Sequence, residues 1–277
     1  MNQMNQFYVC YPKGKIKALT LSYDDGNIAD RKLVDIFNRY GLKATFNLIS
    51  GTFEETAKNQ AEFVRQNEVA ELYKGHEVAC HTVTHPWLTR TPIDKLASEI
   101  LQNRDTLEAT VGYPVQGFAY PYGSYSDEIK ALLPFVGLEY ARPVADTDQF
   151  EVPEDYFDWQ PTCHHDHLLL ENAQKFLDFD NPHDHHMRLM YVWGHSYEFE
   201  RNDNWAHIEK FAELIANKND IWYVTNIDFK RYMTAAKRLV FSVNGSSILN
   251  PSAISVWVQI NNGTAIEVKS GLNTIAL

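Results

Sequence analysis

Cysteine is scarce in this chain: three among 277 residues, at Cys10, Cys80 and Cys163. So sparse and odd a set excludes a disulfide-stapled scaffold and suits a reducing compartment. No apolar run approaches the ~18–20 residues that a membrane span needs. The N-terminal Met1-Asn2-Gln3-Met4-Asn5-Gln6 shows no basic cluster leading into an apolar core, so a cytoplasmic chain without a membrane partner is expected. Basic residues are in deficit, with 25 Lys+Arg against 36 Asp+Glu and a formal net charge of -11. Nothing forms a basic stripe, which makes nucleic acid a poor partner and leaves a neutral or cationic ligand. What the chain does have is 44% hydrophobic and 13% aromatic residues, enough for a well-packed core.

Apolar periodicity alternates between strand and helix. Lys17 to Tyr23 reads as a strand and Asp30 to Tyr40 as a helix burying Leu33, Val34, Ile36 and Phe37, ended by Gly41. Ala44 to Ile49 is the next strand, Glu62 to Lys74 a helix capped by Gly75, and Glu77 to Cys80 a strand. Pro92 to Val111 is a long helix with Thr91 as N-cap and Ile93, Leu96, Ile100 and Leu107 on its buried side. Gly117 to Tyr120, Met187 to Trp193 and Ile221 to Val224 read as strands; Ser126 to Leu133 and Trp205 to Asn217 read as helices. Such alternation predicts an α/β fold with a parallel sheet, and its many repeats favour a barrel. The character changes at Thr234: beyond it Leu239–Val243, Ser255–Ile260, Ala265–Val268 and Thr274–Leu277 are separated by Asn-Gly and Ser-Gly turns. We therefore divide the chain into a barrel, 1–233, and a small antiparallel β module, 234–277, too short to fold alone and expected to pack on the barrel.

Two segments carry chemistry. Leu19-Thr20-Leu21-Ser22-Tyr23-Asp24-Asp25-Gly26 is an apolar strand ending in adjacent carboxylates, which repel unless a cation or a shared proton relieves them. The carboxyl ends of strands are where α/β barrels build active sites. In Gly75-His76-Glu77-Val78-Ala79-Cys80-His81-Thr82-Val83-Thr84-His85-Pro86, two histidines four apart follow a strand and can converge on one ion. Imidazole suits zinc, cobalt, nickel or iron, and a carboxylate added to two imidazoles leaves positions open; zinc is the first expectation, with cobalt or nickel next.

These segments resemble ordered motifs of the polysaccharide deacetylases of the NodB-homology type, carbohydrate esterase family four. Thr20 to Gly26 is similar to the family's Thr-Phe-Asp-Asp-Gly, and His81-Thr82-Val83-Thr84-His85 to its His-Ser/Thr-x-x-His. Ala119-Tyr120-Pro121-Tyr122-Gly123 stands in the place of Arg-x-Pro-Tyr/Phe-Gly, Asp155 to Trp159 resembles the fourth motif, and Tyr191 to His195 the fifth. The resemblance implies a distorted (β/α) barrel and a metal-dependent hydrolase removing acetyl groups from N-acetylated, or less readily O-acetylated, carbohydrate. It further implies that Asp25, His81 and His85 hold a divalent metal ion, that Asp24 is the general base and His195 the general acid, and that the Tyr122 backbone N–H helps hold the oxyanion. Trp159, Trp193, Tyr120 and His164 are then candidates to line the substrate cleft. Hydrolysis of a small amide, as in allantoinase-like relatives, and a catalytically silent sugar-binding protein are the alternatives.

The third motif departs from the family at a charged position. The third-motif arginine is Ala119 here, which removes a cation from beside Asp24 and Asp158; Arg142, on the next strand-like segment, is a candidate replacement. The groups Cys163-His164-His165-Asp166-His167 and His183-Asp184-His185-His186 read as solvated loops, and Cys80 as a small buried residue.

Overall fold

The computed structural model describes residues 5–54, 60–179, 185–261 and 263–275, so His183 and Asp184 lie outside the described residues. In chain order the elements are β1 (Phe7–Cys10), β2 (Lys17–Asp25), α1 (Asp30–Arg39), β3 (Ala44–Leu48), α2 (Gln66–Leu72), β4 (Glu77–Cys80), α3 (Ile93–Val111) and β5 (Gly117–Ala119). There follow α4 (Asp127–Leu132), β6 (Tyr140–Arg142), β7 (Cys163–His164), α5 (Leu169–Asp178), β8 (Arg188–Gly194), α6 (Tyr197–Arg201), α7 (Trp205–Ile215), β9 (Ile221–Tyr223) and α8 (Asn226–Lys237). Five short strands complete the chain: β10 (Val240–Phe241), β11 (Ser247–Asn250), β12 (Val256–Ile260), β13 (Ile266–Val268) and β14 (Gly271–Thr274).

One parallel sheet runs in the order β6-β5-β4-β3-β2-β8-β7, with β9 added beside Lys17–Leu19 of β2. The terminal strands β6 and β7 do not pair among the described residues, so the expected barrel is distorted and open on that side. Strand β2 lies at the centre and is buried from Lys17 to Asp24, on both faces rather than one. Its inward polar side chains are satisfied across the barrel: Thr20 Oγ1 donates to Asn226 Oδ1 at 2.6 Å, and Asn226 Nδ2 donates to the Tyr191 hydroxyl at 2.6 Å. Glu77 accepts from Thr45 Oγ1, Tyr140 Oη and the Ile227 N–H at 2.7, 2.8 and 2.9 Å, so the N-terminus of α8 plugs the barrel floor.

Helix α3 begins with Pro92 at its N-cap; the Thr91 hydroxyl bonds the Trp87 carbonyl at 2.9 Å instead of capping the helix. Ile93 stays exposed at the helix start, while Leu96, Ile100 and Leu107 are buried as expected. The fourth inward position belongs to Asn103, which donates to the Leu48 carbonyl and accepts from the His81 N–H. Helix α2 is shorter than the periodicity predicts, beginning at Gln66.

Helix α8 runs through the expected boundary at 233/234. Beyond it the short strands form two three-stranded antiparallel sheets, β10-β11-β14 and β1-β12-β13. The second takes its edge strand from the other end of the chain, with Phe7 opposite Ile260 and Cys10 opposite Trp257. The Tyr232 hydroxyl of α8 donates to the Cys10 carbonyl and accepts from the Trp257 N–H, and Val256 packs with Phe229 and Tyr232, joining this region to the barrel. The last strand is Gly271–Thr274 rather than a run through Leu277, whose final two residues lie outside the described residues.

Candidate active site

The carboxyl end of β2 turns sharply. Asp25 has φ 77° and Gly26 φ 75°, and a Cβ on Gly26 would stand 2.9 Å from Leu48 Cδ2. A left-handed aspartate is strained backbone of the kind that functional sites hold in place. It lets Asp24 point into the barrel while Asp25 stays at the rim. Asp24 is 3% exposed; its Oδ1 accepts from Asn47 Nδ2 at 2.8 Å and from Arg142 Nη2 at 2.5 Å, and the same guanidinium nitrogen also bonds Oδ2. Burial works against this charge, but Arg142 together with His81 and His195 prevails and holds the carboxyl down at about 2. Ala119, where the family arginine would stand, is buried on β5. Arg142 reaches Asp24 from the adjacent strand, β6, and its guanidinium lies 4.9 Å from the Trp193 ring centre.

His81 and His85 face Asp25. His81 Nδ1 donates to the Ala119 carbonyl at 2.9 Å, which leaves the lone pair on Nε2. That Nε2 is 3.1 Å from His85 Nε2 and 3.4 Å from Asp25 Oδ1, and the His85 Nε2 is 3.8 Å from the same oxygen. Burial, then the neighbouring His81, pulls His85 down to about 4, so it is neutral near pH 7. Two ring nitrogens so close, beside a buried Asp25 Oδ1 that makes no hydrogen bond, leave lone pairs that a cation would satisfy. The donor set of two nitrogens and one oxygen, all within 4.8 Å of one another, fits zinc, cobalt or nickel. Helix α3 secures the turn: Glu99 accepts from the Val83 and Thr84 N–H groups at 3.0 and 2.8 Å and from the Thr84 hydroxyl at 2.9 Å.

Across a cavity of about 480 Å³ from these groups stands His195, just after β8. Burial disfavours its charged form, but the Glu198 hydrogen bond and the charges of Asp24 and Asp25 prevail, raising its pKa above the ordinary imidazole value. Tyr122 has φ 58° and is half exposed at the cavity mouth, with its ring 4.4 Å from that of His85 and stacked 4.4 Å from Trp87. A larger hollow of about 670 Å³ beside Arg65, Gln66 and Thr110 gathers no such constellation.

The four expected substrate contacts divide. Trp193 and Tyr120 line the cavity, although Tyr120 is 1% exposed and its hydroxyl donates to the Phe157 carbonyl. Trp159 is not in the cleft: it is 1% exposed and packed among Tyr140, Tyr156, Tyr191 and Phe229 in the core. His164 sits behind His195, bonded to Glu198, and not on the cavity wall. Asp158 accepts from the Tyr125 hydroxyl at 2.9 Å in place of an arginine. Sequence reasoning passed over Glu99, Asn103 and Glu198. Only Glu198 had a local signal, an acidic residue three positions after His195 in a helix's first turn.

Residues 11–141 match the sequence profile described as polysaccharide deacetylase. Curated relatives include the bifunctional xylanase/deacetylase of Pseudobutyrivibrio xylanivorans, 28% identical over 123 residues, or 43% of this chain and 19% of the relative. The peptidoglycan-N-acetylmuramic acid deacetylase PdaC of Bacillus subtilis is 26% identical over 42% of this chain and 23% of the relative. The chitooligosaccharide deacetylase of a Bradyrhizobium strain is 29% identical over 47% and 62%. The match thus spans only a minor part of the first two relatives. Among solved structures, one from Mycobacterium smegmatis assigned to the polysaccharide deacetylases has TM-score 0.61 at 16% identity, over 83% of this chain and 94% of that one. A Clostridium thermocellum family-four acetyl xylan esterase in complex with cobalt has TM-score 0.52 at 13% identity, over 79% and 92%. A mutant of a family-four pseudoenzyme with restored activity has TM-score 0.52 at 17% identity, over 80% and 70%. The profile match takes in both the Asp24-Asp25 strand end and the His81–His85 turn, the fold agrees over most of the chain, and over residues 11–141 the chain matches the polysaccharide deacetylase family.

Proposed function

We propose that this protein is a metal-dependent deacetylase of an N-acetylated carbohydrate. The observation that carries the reading is that an ionised Asp24 and a readily protonated His195 line one cavity with the Asp25, His81 and His85 donor set. A divalent ion held by those three side chains would supply Lewis acidity, lowering the pKa of water and drawing charge from the acyl oxygen. Asp24 accepts the proton of the attacking water; its charge is secured by Arg142, and Asn47 fixes its orientation. His195 delivers a proton to the leaving nitrogen. An amine leaves poorly without one, so the raised pKa of His195 favours amide over ester substrates. The Tyr122 backbone N–H helps hold the oxyanion. The exposed stacked rings of Trp87 and Tyr122 beside His85 offer apolar faces to a sugar ring.

The test is acetate release by metal-stripped protein reloaded with zinc or cobalt. The substrate panel comprises chito-oligosaccharides, peptidoglycan fragments, acetylated xylan and the small amide allantoin. Asp24→Asn is expected to keep its metal and lose ~10²–10⁴-fold in turnover. Tight metal binding with saturable sugar binding and no acetate release would replace the enzyme by a silent sugar-binding protein, the reading that the pseudoenzyme neighbour brings to mind.

A further inference from the structure

Glu198 is the acceptor for two histidines from different elements. It lies in the first turn of α6 and is 8% exposed. Its Oε2 accepts from His195 Nδ1 at 3.2 Å, from the His195 backbone N–H at 3.3 Å and from His164 Nε2 at 2.9 Å. Its other oxygen, Oε1, accepts from Arg201 Nη2 at 3.0 Å. His164 in turn accepts at Nδ1 from the Asp166 N–H at 3.1 Å, so its ring proton is on Nε2 and points at Glu198. The three donor atoms of His164, His195 and Glu198 are close enough to chelate a cation. Yet His164 could offer Nε2 to one only by giving up the Asp166 contact, so the pattern is a directed hydrogen-bond chain and not a ligand set.

From this chain, and resting on the hydrolase reading above, we infer that Glu198 is the positioning residue for His195, with His164 fixing Glu198 in turn. By accepting from Nδ1, Glu198 keeps the proton there and turns His195 Nε2 toward the cavity that holds Asp24 and Asp25. Asp158 does not serve this role, being engaged by Tyr125 and Gln160. The charged and titratable groups facing this pair are Asp24 and Asp25 from β2, His164, His165 and Asp166 from β7 and the turn after it, and Arg201 with Tyr197 from α6. His165 is fully buried between Tyr23 and Phe199, and burial drives it down to about 2, so it brings no charge to the pair.

The experiment uses the full chain loaded with zinc and compares wild type, Glu198→Gln, His164→Gln and Arg201→Ala. Histidine-ring nitrogen NMR reads the tautomer and titration of His195 directly. Hydrolysis of an N-acetylated chito-oligosaccharide is compared with that of p-nitrophenyl acetate, whose leaving group needs no acid. Glu198→Gln is expected to lower the His195 pKa and shift its tautomer population, moving the alkaline limb of the rate profile to lower pH. It should also slow kcat on the amide by ~10–100-fold with KM and p-nitrophenyl acetate turnover little changed. His164→Gln should give a smaller shift of the same kind, and Arg201→Ala, which frees only Oε1, should leave His195 as in wild type. An unchanged His195 tautomer and titration in Glu198→Gln, or equal slowing of both substrates, overturns the inference. If no form hydrolyses either substrate, the hydrolase reading fails while the NMR still decides whether Glu198 governs His195.

Discussion

Asp24 and Asp30 are both buried carboxylates, and their neighbours send them in opposite directions. Beside Asp24 lies a guanidinium; beside Asp30 lie the hydroxyls of Tyr73, which donates to Oδ2 at 2.6 Å, and of Ser196. Removing the cation by Arg142→Ala would strand a buried charge, so we expect a loss of about 3–5 kcal/mol in stability, read by urea unfolding. Turnover should fall ~10–100-fold as Asp24 loses its fixed, ionised state; full activity in this variant would show that the guanidinium does not serve the base. Burial lifts Asp30 to about 7. The folded chain therefore keeps a proton that the unfolded chain releases near pH ~4, and stability is greatest below that value and falls as pH rises towards about 7. Asp30→Asn should flatten this decline, standing further above wild type at about pH 8 than at about pH 5 in chemical denaturation. Some slope will remain, because burial also raises Glu77 to about 7.

At the scale of elements, the His81–His85 turn is shaped by its neighbours more than by its own residues. Thr82 and His85 both have positive φ, at 66° and 55°, and the conformation is held by Glu99 of α3 and by the Gly51 N–H on the Val83 carbonyl. A Cβ at Gly51 would come within 2.4 Å of that carbonyl oxygen, so only glycine allows the close approach. Glu99→Ala should leave the melting temperature nearly unchanged, because the carboxylate serves a single turn that is exposed at Thr84. It should weaken zinc affinity ~10–100-fold, measured by competition with a chelator. An unaltered zinc affinity would mean that the turn holds its shape unaided.

Across the whole molecule, the first strand joins the C-terminal sheets. Strand β1 pairs with β12, and the Tyr232 hydroxyl binds both Cys10 and Trp257. Deleting residues 238–277 would strip β1 of its partner and uncover the α8 face packed on Val256. The expected result is a lower melting temperature and a loss of several kcal/mol, given roughly 1.5–3 kcal/mol for each large apolar side chain returned to water. Calorimetry showing an unchanged transition would make these sheets a separate folding unit.

The sequence alone was enough for the parts of the site that lie within single segments. Asp24 and Asp25 are contiguous and His81 and His85 share one turn, so backbone geometry keeps each pair together wherever the strands go. The alternation of strand and helix carried the parallel sheet in the same way, since period and breakers are local. Tertiary structure decided what depends on neighbours distant in the chain. Arg142 meets Asp24 across 118 positions because β5 and β6 extend the sheet beside β4, so a cation missing at Ala119 returns one strand over. Trp159 and Trp193 look alike as sequence, yet one is sealed in the core and the other walls the cavity, a difference set by how the strands curve around them. The pairing of β1 with β12 belongs to the same class, because no local pattern in either strand names a partner at the far end of the chain.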